Sequence, residues 1–330
     1  MARTITGTNG ANRIVQGGNI NNTSLTIRAL GGNDTIILNR TDDFGGNNRV
    51  DAGAGNDRVV NLKEDGNVIL LGKGNDTYVG TGFGSFANER ADLVKAGAGN
   101  DTIAVSTFKS TYLGEGGNDR FFSVGQQNTF HGGAGVDSIS YIPRDDDSVL
   151  GGRGVGIDLQ SGFAQTGANR FERLISIENA EGTNAGDTIL GSRAANVLKG
   201  LGGDDALAGR AGNDVLAGGR GMDFLQGDGG ADHFDFNSRV ESAVGARRDV
   251  ILDFDRGERD RIDLRDIDAH SGKAGNQAFT FIGEHAFSGK AGELRFENGI
   301  AAGDVNGDGR ADFEIEVRGM TSMLKGDFLL

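Results

Sequence analysis

Between Gly182 and Asp235 the sequence repeats every nine residues without a break, as GTNAGDTIL, GSRAANVLK, GLGGDDALA, GRAGNDVLA, GGRGMDFLQ and GDGGADHFD. Position 1 is always Gly, position 6 is Asp in every block except the one carrying Asn196, and position 8 is always large and apolar (Ile189, Leu198, Leu207, Leu216, Leu225, Phe234). A period this strict confines the chain to repeat architectures, in which a unit buries its apolar side chain only by stacking on its neighbours. The glycines allow turns through positive φ, and the three residues around position 8 form a short strand with one inward side chain. Two such half-turns make a coil, so residues eighteen apart stack at strand spacing, about 4.8 Å. The position-6 side chains then form two ladders: Asp187, Asp205 and Asp223 on one edge, Asn196, Asp214 and Asp232 on the other. Carboxylates stacked this closely repel one another unless a cation lies among them. Calcium, with its tolerance for about six to eight oxygen ligands, suits such a ladder better than magnesium.

The same signature recurs in the first half with extra residues let in. LGGNDTIIL, AGAGNDRVV, LGKGNDTYV, AGAGNDTIA, GEGGNDRFF and GGAGVDSIS place the key carboxylate at Asp34, Asp57, Asp76, Asp101, Asp119 and Asp137. Nine residues before each lies a weaker block, with Leu25, Asn48, Asn67, Asp92, Ser110 and Asn128 at position 6 and Ile27, Val50, Ile69, Val94, Tyr112 and Phe130 at position 8. GTNGANRIV, with Asn12 and Ile14, reads as a capping half-turn. Every insertion falls after a strong block and before the next weak one. This phase predicts an asymmetric solenoid with an unbroken Asp ladder on one edge and degenerate turns on the other, with loops at about 38 to 46 and 80 to 90. Such loops are where repeat scaffolds carry recognition, or else they are tolerated length variation. Phe83 and Phe86 make the second loop the better contact surface.

Composition narrows the partners. The chain has 330 residues, 58 Gly, no Cys and a formal net charge of −14. Acidity argues against nucleic acid or an anionic membrane as partner. The missing cysteines exclude disulfides and thiolate metal sites. No run has the length of a transmembrane helix, and MARTITGTNG lacks the features of a signal peptide. Sites that fill well only where calcium is plentiful point to an extracellular protein exported without such a signal.

The reading is an all-β chain: a parallel β-roll or solenoid of calcium-binding nonapeptides with a C-terminal β-rich cap. The expected divisions are a looped solenoid over 1–141, an insert or junction over 142–181, a regular solenoid over 182–235 and a cap over 236–330. In the junction, Asp145 to Asp147 read as a solvated turn. In the cap, Asp304, Asn306, Asp308 and Asp312 stand at EF-hand-like spacing with Gly309 at the turn. Ile315 takes the place of the bidentate Glu, so the loop is either a calcium site or an acidic β-turn.

The nonapeptide is identified as that of RTX (hemolysin-type) proteins. The order HFDF, DVILDFDRGERDRIDLRDIDA, FTFIGEHAFSGKAGELRF, GDVNGDGRADFEIEV and a terminal DFLL resembles the C-terminal half of serralysin-type alkaline metalloproteases, from about Gly182 to Leu330. The resemblance implies a calcium-filled parallel β-roll, export by a type I secretion exporter, and an export tail in Asp327, Phe328, Leu329 and Leu330. The protease half is absent: none of His131, His233, His270 and His285 pairs in an H-E-x-x-H motif. AHSGK and AFSGK, around Ser271 and Ser288, lack the first glycine of a serine-hydrolase elbow. The expectation is a non-enzymatic secreted protein acting in adhesion, polysaccharide binding or assembly at the cell surface or matrix. The alternative is a polysaccharide-modifying enzyme, epimerase- or lyase-like, using carboxylates and residues such as Tyr78, Tyr112 and Tyr141 on the looped edge.

Overall fold

The computed structural model describes residues 3–16, 24–39, 46–62, 65–81, 90–125, 127–147 and 150–330. It is built from short strands, with no α-helix among the described residues. Two compact units divide it: Met1–Gly151 with Ser161–Asn179, and Gly152–Gln160 with Ala180–Leu330. The segment expected to be an insert or junction is thus shared, 161–179 going to the first unit and 152–160 to the second. No helix among the described residues is long and apolar enough to cross a membrane.

In the first unit the repeat strands pair in parallel with the strand one coil on. The strong blocks form a ladder through Arg13–Val15, Thr35–Asn39, Arg58–Leu62, Thr77–Thr81, Thr102–Val105, Arg120–Ser123 and Ser138–Ser140. Its register sets Ile14, Ile36, Val59, Tyr78, Ile103, Phe121 and Ile139 in one inward row. The weak blocks do the same from Ile5 and Ile27 through Val50, Ile69, Val94, Tyr112 and Phe130 to Leu174. Position 8 is apolar because both rows face the coil interior, where the residues from Ile27 onward are buried. Toward the last coils of this unit aromatic rings replace aliphatic chains, Tyr112 stacking on Phe130 at 5.4 Å and Phe121 tilting onto it at 5.3 Å. The expected loop positions 40–45 and 82–89, with Phe83 and Phe86, lie outside the described residues.

A hairpin of Phe163–Gly167 and Arg170–Ile175 closes this unit. Its inward Glu172 is fully buried and accepts hydrogen bonds from the Ser123 hydroxyl (3.0 Å), the Asn128 amide group (3.2 Å) and the Tyr141 hydroxyl (2.9 Å). Arg144, also buried, donates to the carbonyls of Val124 (3.1 Å) and Thr166 (2.6 Å). The last coil is therefore covered by a polar plug whose groups are satisfied internally, as burial requires.

The second unit repeats the architecture. One inward row runs Ile157, Ile189, Leu207, Leu225, Ile251 and Val317, the other Ala180, Leu198, Leu216, Phe234, Ile262 and Phe328. Both ladders continue past Asp235, through Asp249–Ile251 and Arg261–Asp263 to Phe313–Val317 and Phe328–Leu329. Antiparallel Glu293–Glu297 and Ile300–Asp304 then pair beside Phe313–Val317. The cap is the solenoid's own last coils, with long excursions between strands. Asp327 is buried and held by Arg256 through two bonds (2.8 and 2.6 Å), which fixes the Phe328–Leu329 strand against its neighbour.

The plug makes a stability prediction. Glu172→Ala leaves three buried donors without their acceptor, at about 1–3 kcal/mol for each group left unsatisfied, whereas Phe171→Ala on the exposed face of the same strand changes stability by about 0.5 kcal/mol or less. Denaturant unfolding of both variants at saturating calcium measures the difference.

Candidate metal centre

The position-6 carboxylates form continuous columns. In the first unit, each backbone N–H donates to Oδ1 of the Asp one coil on: Asp34 to Asp57 (2.7 Å), Asp57 to Asp76 (2.7 Å), Asp76 to Asp101 (2.7 Å), Asp101 to Asp119 (2.8 Å) and Asp119 to Asp137 (2.8 Å). Glu178 ends the column, accepting the Asp137 N–H at 2.8 Å. The second unit holds two columns. One runs Asp187, Asp205, Asp223, Asp249, and the other Asn196, Asp214, Asp232, Asp260.

One oxygen of each carboxylate is thus occupied. The other, Oδ2, is buried with no hydrogen-bond partner in Asp34, Asp57, Asp76, Asp101, Asp119, Asp137, Asp205, Asp214, Asp223 and Asp232, and also in Asp249. An unpaired buried carboxylate oxygen is costly, and its recurrence in ten repeat turns is a systematic feature rather than an accident. The turns that carry the first ten share a backbone shape. Positions 2 and 4 both sit at positive φ, from Leu30 (80°) and Gly32 (94°) to Asp228 (60°) and Gly230 (137°). Position 4 must be Gly for a second reason: a Cβ on Gly74 would lie 2.0 Å from the Gly55 carbonyl oxygen, and one on Gly99 1.9 Å from that of Gly74. Backbone carbonyls therefore press against the next coil at position 4 of the same turns that carry the orphaned carboxylate oxygens.

The arrangement is a hard-oxygen site distributed along the backbone. Among the described residues no group of three or more His, Cys, Asp or Glu side chains could hold a metal by itself. One carboxylate per turn with backbone carbonyls is, however, a donor set suited to calcium.

The opposite edge of the first unit differs. There the N–H of Leu25, Asn48, Asn67, Asp92 and Ser110 donates in turn to Asn48, Asn67, Asp92, Ser110 and Asn128. Asp92 is satisfied by amides, Asn67 Nδ2 at 3.1 Å on one oxygen and Asn61 Nδ2 at 3.1 Å on the other. Among the described residues, each position-6 side-chain oxygen of this edge accepts a hydrogen bond.

Position 5 holds a set of residues that the sequence reading passed over. Asn33, Asn56, Asn75, Asn100 and Asn118 form an exposed ladder in which each Oδ1 accepts the N–H of the coil after it (2.8–2.9 Å). The Asp ladder runs the other way, each Oδ1 accepting from the coil before. The paired letters ND thus tie every coil to both neighbours, and the invariance of Asn before Asp in five blocks was the available signal. Asp249 and Asp260 were missed as well, although DVI and DRI keep the Asp and inward apolar spacing of a repeat after its glycines are lost.

Other expected site residues fall elsewhere. Both oxygens of Asp187 are engaged, by the N–H of Val155 (2.6 Å) and of Thr183 (2.6 Å). Asp304 accepts from the N–H of Gly307 (2.7 Å) and Gly309 (2.9 Å), and Asp312 from those of Val305 (2.8 Å) and Asn306 (3.2 Å). Asn306 and Asp308 close local turns onto Asp308 and Arg310. Tyr78, Tyr112 and Tyr141 are fully buried, so they cannot line an outer groove. The first two are inward position-8 residues, and the third lies in the plug.

The family model for the serralysin C-terminal domain of M10 peptidases matches residues 166–330, half of the chain. The chain belongs to this family. The RTX calcium-binding nonapeptide repeat matches at 45–60, 86–104 and 112–141, and these repeats bind calcium in multiple copies. Among solved structures, the R3 subunit of the Azotobacter vinelandii mannuronan C5-epimerase is similar at 26% identity, over 44% of this chain and 78% of that one, with a TM-score of 0.31. No curated protein matches the chain.

Burial of the RTX carboxylates raises their pKa, opposed by the N–H each accepts and assisted by neighbouring carboxylates. Asp76, Asp214 and Asp223 move up to about 6, Asp101 and Asp232 to about 7, Asp205 and Asp249 to about 8. These folded-state values exceed the unfolded value of about 4. In the calcium-free chain, protonation therefore stabilises the coils fully below about pH 4, and this stabilisation is lost as pH rises through 6 to 8. Without calcium, circular dichroism is expected to show more strand at pH 4.5 than at pH 8, and calcium affinity to fall on acidification because ligand oxygens must be deprotonated.

Proposed function

We propose that this protein leaves the cell through a type I exporter and folds outside when calcium fills its acid columns. It then acts without catalysis at the cell surface or matrix, in adhesion, polysaccharide binding or assembly. The observation that carries the proposal is the orphaned, buried Oδ2 repeated in turn after turn of both units. Calcium would be held by Asp34, Asp57, Asp76, Asp101, Asp119 and Asp137 in the first unit, and by Asp205, Asp214, Asp223 and Asp232 in the second, each with carbonyls of its turn. Asp304, Asn306, Asp308 and Asp312 stand outside this set, as an acidic hairpin turn closed on its own amides. Metal that binds the folded state alone adds its binding free energy to folding. The low calcium inside a cell would then keep the chain unfolded for export, and the higher calcium outside would fold it.

Calcium titration at pH 8, followed by circular dichroism, is expected to show cooperative gain of strand; a calcium-free chain with full strand content would overturn the proposal. Asp101→Asn keeps the acceptor for the Asp76 N–H and removes the anionic ligand, so it should lower the number of bound ions. Asp92→Asn on the amide-closed edge should leave that number unchanged.

The role after folding is tested with acidic polysaccharides such as alginate. Calcium-dependent binding without new unsaturated ends or a changed epimer ratio is the expected result, and turnover would refute the non-enzymatic reading.

A further inference from the structure

Three repeat turns have a different construction. They are Gly7 to Asn12 (GTNGAN), Gly182 to Asp187 (GTNAGD) and Gly191 to Asn196 (GSRAAN), and each carries a hydroxyl residue at position 2. No residue of these turns has positive φ, whereas the ten turns with an orphaned oxygen have it at both positions 2 and 4. The position-2 N–H instead donates to the position-6 side chain of its own turn: Thr8 to Asn12 Oδ1 (2.7 Å), Thr183 to Asp187 Oδ2 (2.6 Å) and Ser192 to Asn196 Oδ1 (2.6 Å). The position-2 hydroxyl then accepts the N–H of position 4, from Gly10 (3.3 Å), Ala185 (3.1 Å) and Ala194 (3.1 Å). The same local closure thus appears three times, with hydroxyl and amide groups occupying the side-chain oxygen that is left open elsewhere.

Their positions are equally regular. Asn12 donates to Asp34 (2.6 Å), Asp187 to Asp205 (2.6 Å) and Asn196 to Asp214 (2.7 Å). Each hydroxyl-closed turn is the first side-chain rung of one acid column, and each of the three columns begins with one. The amide-closed edge of the first unit begins at Leu25 and has none. No side-chain rung precedes any of these turns in its column, although in the second unit the Val155 N–H of an earlier strand donates to Asp187 (2.6 Å); local contacts supply what an earlier rung would, as in the terminal units of other repeat arrays.

We infer that the turns closed by Thr8, Thr183 and Ser192 take no calcium and serve as metal-free starting blocks on which the calcium-dependent turns stack. Position 2 is the selector: a hydroxyl residue at negative φ gives a self-closed turn, and a residue at positive φ gives an open one. This rests on the reading that the open turns hold calcium, and the experiment separates the two.

Bound calcium is counted on the purified full chain at saturating calcium for four proteins: wild type, Asp223→Asn, Asp187→Asn, and Thr183→Gly with Ala185→Gly. Asp187→Asn installs the residue already present at Asn12 and Asn196, so the Thr183 N–H keeps its acceptor within the turn while the Val155 N–H loses its own. The expected counts are fewer ions for Asp223→Asn, no change for Asp187→Asn, and one added ion for the double variant, whose turn becomes GGNGGD. Thr183→Val should raise the calcium concentration at half-folding several-fold without changing the final count. Loss of ions in Asp187→Asn, or no gain in the double variant, overturns the starting-block inference alone. An unchanged count in Asp223→Asn overturns the calcium reading, and this inference with it.

Discussion

Like charges stacked at strand spacing are the constraint on which the rest of this structure depends. At about 4.8 Å, two carboxylates repel by about 3 kcal/mol even at an effective dielectric near 20, and here they stand in buried columns up to six Asp long. No apolar row could carry that cost coil after coil without help. The backbone supplies part of the answer, one N–H to each Oδ1, and the rising pKa values show that this does not offset desolvation. The remainder is left to a proton or a cation. A fold whose carboxylates are this poorly satisfied alone is one whose stability is set by its solvent.

The first unit shows the alternative on its opposite edge. The same rung geometry is built there with Asn, Ser and one amide-flanked Asp, and each of these position-6 oxygens finds a donor. The two edges share strands, register and inward rows, and they differ in the acid turns' positive-φ backbone and Asn ladder and in whether position 6 is an acid that lacks a donor for its second oxygen. The amide edge ends in the Glu172 plug and the acid edge in Glu178, whose longer side chain reaches the last Asp from outside the repeat. Asymmetry in this solenoid is therefore chemical as well as geometric.

Much of this was legible in the sequence because it is periodic. The inward rows follow from position 8, the acid columns from position 6, and the two edges from the phase of the insertions. The residues that escaped did so for physical reasons. Asn at position 5 looks like ordinary turn composition until its carbonyl is seen bonding the next coil. Asp249 and Asp260 continue the columns after the glycines that flagged their neighbours have gone, because a rung needs only the acid and the inward residue two places on. Tyr78 and Tyr112 suggested surface chemistry by residue type, although their position-8 placement already assigned them to the interior. Asp187 matches the consensus at position 6, and only Thr183 at position 2 and Ala185 at position 4 distinguish its turn from an open one.

The placement of insertions follows from the same turn chemistry. Successive acids in the regular run stand 18 residues apart, against 23, 19 and 25 for the first three steps of the looped solenoid, with the additions always ahead of an amide-edge rung. At the end of the second unit the steps lengthen to 26 from Asp223 to Asp249 and 28 from Asp232 to Asp260, where the glycine turn has been lost. An open turn holds positions 2 and 4 at positive φ with position 6 at a fixed remove. One added residue would break that spacing. An amide rung is anchored by its single position-6 side chain, and the chain before it can take any path. Length is therefore fixed where backbone and side chain must jointly present oxygen and free where one side chain suffices, which is why the sequence places its insertions ahead of the amide-edge rungs and between the last coils.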